Sequence, residues 1–113
     1  MDDEMEYGKR PDDSEKGMGY FGEIKRPDGN VMTEVSIGVG LDGKETLIPL
    51  IVPTLNKSEL NYLIKNDPES ENFMDKLPKS IIDKAVEHAS MRIKQKKSPF
   101  ADSDDEILSM PDR

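Results

Sequence analysis

Between Val31 and Val52 apolar residues recur with period two on both sides of Asp42-Gly43, and no other stretch limits the fold so strongly. Along the first arm Val31, Thr33, Val35, Ile37 and Val39 point one way, and Met32, Glu34, Ser36, Gly38 and Gly40 the other. That is the pattern of a strand with one buried, β-branched face. Asp42-Gly43 supplies a tight turn, because glycine takes positive φ without steric cost and aspartate tolerates it. The second arm, residues 44–52, carries Leu47, Ile48, Leu50, Ile51 and Val52, so the whole stretch reads as a β-hairpin.

Upstream, residues 20–26 read as a short strand entering a turn at Pro27-Asp28-Gly29-Asn30, with Pro27 presetting φ and Gly29 taking the left-handed corner. The expected sheet is a three-stranded antiparallel meander over residues 20–26, 31–39 and 44–52. Pro49 cannot donate to a ladder and Pro53 closes the last strand, so that strand should lie at an edge or Pro49 should point its missing donor outward. Three strands with one apolar face require a covering layer.

Two helices provide it. Asn56 can cap the amide of Glu59 while Glu59 reaches back, and Leu55 and Leu60 flank them as a hydrophobic staple. Leu60, Leu63 and Ile64 then share a face until Asn66-Asp67-Pro68 stops the helix. A polar loop, residues 66–77, is held down by Phe73, Met74 and Leu77. The second helix begins near Pro78 or Ser80, with Ile82, Ala85, Val86, Ala89 and Ile93 as its apolar stripe. Acids early and bases late suit its dipole, and Ser98-Pro99 ends it, with Phe100 folding back. The expected class is α+β, a meander covered by two helices.

Charge divides the 113 residues further. Residues 1–17 hold seven acids and three bases, residues 18–100 twelve of each, and residues 101–113 five acids and one base, so the net charge of −8 belongs entirely to the ends. Ends so poor in apolar residues predict disordered acidic tails around one small domain at residues 18–100. With 35% charged against 34% hydrophobic residues, the core of that domain is small. Without cysteine there is no disulfide framework and no thiolate metal site. No apolar run reaches the roughly 20 residues of a membrane helix, and the acidic start MDDEMEYGKR is unlike a secretory signal. A soluble chain without a membrane span is expected.

Residue types that carry chemistry are few. His88 is the single histidine, just off the centre of the helical stripe, and reads as a boundary or surface residue. Arg92, Lys94, Lys96 and Lys97 read as dipole compensation; a neutral body with acidic ends does not favour nucleic acid. Glu34 and Glu45 sit on the two hairpin arms, where exposed glutamates alternate with apolar residues in any one-sided sheet. Gly17, Gly19, Gly22, Gly38, Gly40 and Gly43 lead into no helix N-terminus and form no phosphate loop. No catalytic, metal or cofactor-binding residue is assigned and no cofactor is expected, although His88 with the hairpin glutamates would be the set for a hydrolase.

The phrases GYFGEIKRPDGNVMTEVSIGV, LDGKETLIPLIVPTL, KAVEHASMRIK and KSPFA together resemble a small domain of tailed bacteriophages, free-standing or attached to larger virion and DNA-ejection proteins. The resemblance covers about residues 17–101, while the acidic ends lie outside it and the loop from Asp67 to Leu77 is longer than in the pattern. It implies a non-enzymatic virion-associated, assembly or ejection accessory protein that docks on a larger virion protein, located in the particle or in the host cytoplasm during infection. The alternative is an early phage protein that binds and inhibits a host enzyme. Self-association stays open. Sheet edges suggest the docking side: Pro49 and Pro53 blunt the third strand, which leaves the first, with Tyr20, Phe21 and Ile24 as apolar anchors.

Overall fold

The computed structural model describes residues 8–68, 70–102 and 104–112 of the chain. It is α+β, with two antiparallel sheets of two strands each and three helices. The first sheet pairs β1 (Ile24–Lys25) with β2 (Val31–Met32), Ile24 opposite Met32. Its turn closes through Arg26 N–H donating to the Asn30 carbonyl at 2.8 Å and Asn30 N–H donating to Asp28 Oδ1, while Gly29 N–H donates to the Arg26 carbonyl at 2.9 Å with φ +90° at Gly29. The second sheet is the hairpin of β3 (Ser36–Leu41) and β4 (Lys44–Pro49), with Leu41 opposite Lys44 and Ile37 opposite Ile48. Asp42 and Gly43 both take positive φ, +50° and +81°, the conformation that matches a two-residue turn to the twist of its strands.

The expected three-stranded meander is not what forms. Its middle strand, residues 31–39, is cut at Thr33–Val35, so that β2 serves one sheet and β3 the other. The cause is burial on both sides: Thr33, Glu34 and Val35 are buried in succession, which a one-sided strand cannot accommodate. Thr33 Oγ1 donates to the Gly17 carbonyl at 2.6 Å, and Glu34 is engaged by Arg10 and Gly17. Residues 8–20 thus cover a face that alternation alone leaves open to water. Gly19 makes this approach possible, since φ is +72° there and a Cβ would collide with the Thr33 carbonyl oxygen. Both strands of each sheet are edges, so Pro49 at the end of β4 displaces no inner ladder bond.

Helix α1 (Lys57–Lys65) begins as expected. Asn56 Oδ1 accepts from Glu59 N–H and Glu59 Oε1 accepts from Asn56 N–H, each at 2.8 Å. A short α2 (Phe73–Lys76) replaces part of the expected loop and buries Phe73, so the described residues hold three helices rather than two. The longest helix, α3 (Lys79–Lys94), lies against β4. Its buried face is Ile81, Ala85, His88, Ala89 and Arg92, rotated from the expected stripe: Ile82 and Val86 are half-buried and Ile93 is exposed. Hydrophobicity placed the stripe wrongly because the fold buries two polar side chains of α3 by hydrogen-bonding them. Lys96 ends the helix at φ +62°, with Lys97 N–H donating to the Arg92 carbonyl and Lys96 N–H to that of Ile93.

Ile48, Leu50, Ile51, Val52, Leu60, Leu63 and Ile81 form the innermost core, joining β4 and the chain after it to α1 and α3. Burying each such side chain contributes about 1.5–3 kcal/mol. The acidic ends also meet this body. Arg10 and Asp105 make ion pairs with Glu34 and Arg92, and Leu108 N–H donates to the Tyr20 carbonyl at 2.8 Å. The expected tail disorder is thus not displayed by the described residues at either end; residues 1–7, 103 and 113, which that expectation also covered, lie outside them. Among the described residues no helix is long and apolar enough to cross a membrane.

Candidate functional site

The densest polar cluster gathers where α3 ends and both chain ends return. His88, one side of the buried face of α3, is 8% exposed, and its Nε2 lies 2.8 Å from the Tyr20 hydroxyl. That hydroxyl donates to the Pro99 carbonyl at 2.8 Å. Its one proton being so used, His88 Nε2 must carry the hydrogen that Tyr20 accepts. The rings meet edge to face, 5.0 Å between centroids. Burial, and then the positive charge of Arg92, holds the His88 pKa below its ordinary 6.5. Burial also pushes the Tyr20 hydroxyl up to about 12.

One turn further along α3, Arg92 is 4% exposed. Its Nε donates to the Ser98 carbonyl and Nη2 to that of Phe100, each at 2.8 Å, so it folds the KSPFA segment around the end of the helix. Nη1 and Nη2 also grip the two oxygens of Asp105 at 3.0 Å each, a fork-on-fork pair. The guanidinium stands 5.7 Å from the centroid of the Tyr20 ring. Hydrogen bonding from Arg92, with a further bond from Asp102 N–H, lowers the Asp105 pKa to about 2.

A second arginine completes the cluster from the other end of the chain. Arg10 holds both oxygens of Glu34 at 2.8 and 2.7 Å, and Gly17 N–H adds a third bond to that carboxylate. Its guanidinium carbon lies 4.0 Å above the Phe100 ring. Chemically the cluster is closed: among the described residues no buried side-chain nitrogen or oxygen lacks a hydrogen-bond partner. Buried polar groups satisfied in this way fix a chain's course.

The residues singled out from sequence fall differently from expectation. Tyr20, Phe21 and Ile24, taken as surface anchors, are 3%, 7% and 3% exposed and belong to the core, Tyr20 packing against His88 and Arg92 of α3. Glu34 is buried and paired rather than solvated, whereas Glu45 is exposed, so the hairpin glutamates are not brought together with His88. Arg92 leaves the basic cluster for the interior; Lys94, Lys96 and Lys97 stay exposed. Among the described residues no group of three or more His, Asp or Glu side chains could hold a metal ion. Sequence reading missed Arg10, Asp105 and Gly19, and only Gly19, in a run of glycines, carried any signal.

Exposed apolar side chains mark the same end of the molecule. The methyl of Met18 and the side chain of Ile107 converge over Gly22. A hollow of about 370 Å³ separates Gly17, Met18 and Gly19 from Ala101, Asp105 and Ile107. Another, about 700 Å³, opens beside α1 and the start of α3 among Lys57, Tyr62, Lys65 and Pro78. No protein-family model, curated protein or solved structure matches the chain.

Proposed function

We propose that this chain is a non-enzymatic accessory protein of a tailed bacteriophage, present in the particle or acting in its assembly or DNA ejection, and seated on a larger virion protein. The observation that carries the reading is where RPDG, SIGV, IPLIVPTL and KSPFA, short runs within the resembling phrases, lie in the fold. RPDG forms the β1–β2 turn, SIGV opens β3, IPLIVPTL supplies Ile48, Leu50, Ile51 and Val52 to the innermost core, and KSPFA wraps the end of α3 through Arg92. Residues held in common with a phage domain would therefore preserve its shape. Apolar side chains left at the surface, among them Met18, Met91, Ile107 and Met110, suit a docking role, methionine being adaptable at contact surfaces.

The test is mass spectrometry of purified particles beside infected-cell lysate. Enrichment with the particle supports the virion reading. Abundance in lysate with absence from particles would overturn it and favour the alternative, an early protein that binds and inhibits a host enzyme.

A further inference from the structure

Residues 104–108 lie across the body in a manner more like a bound peptide than a packed segment. Asp105 places its carboxylate on Arg92, whose side chain is 5% exposed and whose other donors are committed to Ser98 and Phe100. Ile107 reaches over Gly22, where a Cβ would stand 3.1 Å from its Cγ2, with the Met18 methyl 4.0 Å from the same point. Leu108 N–H makes a single backbone bond to the Tyr20 carbonyl. Yet Ile107 remains 56% exposed and Leu108 is exposed as well, so the segment contributes little buried area to hold it there.

We propose that residues 104–108 are an internal pseudoligand, and that a protein partner docks by displacing them with a segment of its own carrying a carboxylate two residues before an aliphatic side chain. The proposal rests on the docking role given above and names its site. Asp102 stays beside Arg92 when residues 104–108 leave, its Oδ2 3.7 Å from Nη2 and half exposed, but only Asp105 fills both guanidinium nitrogens, so the segment that replaces it should bring a carboxylate in the same bidentate geometry. The absent side chain at Gly22 leaves room for one aliphatic group beside Met18. The Tyr20 carbonyl then accepts from the backbone one residue further on, which fixes direction and register. The proposed groove uses the Tyr20 carbonyl and Gly22 and none of the buried Tyr20, Phe21 and Ile24 side chains.

The probe is a fluorescein-labelled peptide of residues 104–111, Asp-Asp-Glu-Ile-Leu-Ser-Met-Pro, titrated into the full chain by anisotropy. Against wild type it should bind weakly. The Asp105→Asn, Ile107→Ser double variant should bind it about tenfold tighter, and asparagine in place of the peptide's second aspartate should abolish the gain. If circular dichroism shows the double variant unfolded, Ile107→Ser alone keeps the Asp105 anchor and should give a smaller gain of the same sign. Equal affinity for wild type and the folded variant, or indifference to the peptide carboxylate, would overturn the proposal. So would dimerisation of the variant without peptide binding, which gives the groove to a second copy. These readouts are independent of particle composition, so the proposal and the virion reading can fail separately.

Discussion

Arg10 lies with its guanidinium carbon 4.0 Å from the centroid of the Phe100 ring while both oxygens of Glu34 occupy its edge. One side chain from the acidic N-terminal segment therefore touches the segment after α3 and the break between β2 and β3. Removing it leaves Glu34, 3% exposed, as a buried carboxylate that keeps the Gly17 N–H bond but loses its guanidinium. Arg10→Ala should cost about 3 kcal/mol, and Glu34→Gln in the Arg10→Ala background should recover part of it, because the uncompensated charge is then gone. Urea midpoints of the single and double variants measure both effects.

Gly19→Ala should be among the most damaging small substitutions in the chain. Two causes add: a backbone at φ +72° that an L-residue resists, and a Cβ directed at the Thr33 carbonyl oxygen. Gly40→Ala, at a position with no atom near the added carbon, is the comparison. A loss of about 2–3 kcal/mol at Gly19 against under about 1 kcal/mol at Gly40 is expected in chemical denaturation. Equal losses would mean that the approach to Thr33 is not the constraint.

Lys96 occupies the left-handed position that ends α3, at φ +62°, where glycine is the usual residue. Lys96→Gly should stabilise the protein by about 1 kcal/mol and raise its melting temperature by several degrees. Lys97→Gly, one position on, should not.

Stability should fall in two steps on acidification. Folding holds the His88 pKa below 6.5, so the unfolded chain takes up a proton that the folded chain refuses; stability is complete above 6.5 and declines as pH drops below it. Asp105, lowered from 3.8 to about 2 by Arg92, contributes stability that is present above 3.8 and lost as pH falls from there through about 2. His88→Gln retains a donor for Tyr20 and should flatten the upper step alone. Asp105→Asn should remove the lower one. Urea midpoints from about pH 7.5 to pH 2 separate the two.

Turns and caps were legible in the sequence because their signals are local: Asp42-Gly43, Gly29 and the Asn56–Glu59 box each act within four residues. The break at Thr33–Val35 was not, since its cause is Arg10 and Gly17, distant in sequence and unmarked by any pattern. The face of α3 was misread for a related reason. Periodicity counts His88 and Arg92 as polar, whereas Tyr20, Pro99, Phe100 and Asp105 supply the partners that let them be buried. Ile81→Ala should therefore cost about 3 kcal/mol and Ile93→Ala under about 1 kcal/mol, the reverse of what the apolar stripe alone implies.

The meeting of both ends at Phe100 also determines how the protein would carry a mechanical load. Tension applied through the two ends reaches the Arg10–Phe100 contact and the Arg92–Asp105 fork before the β3–β4 ladder or the Ile48–Leu63–Ile81 core. The first extension under force would come from freeing residues 8–17 and 104–112, with the core still shielded. The body would stretch by that slack and recover with its interior undisturbed.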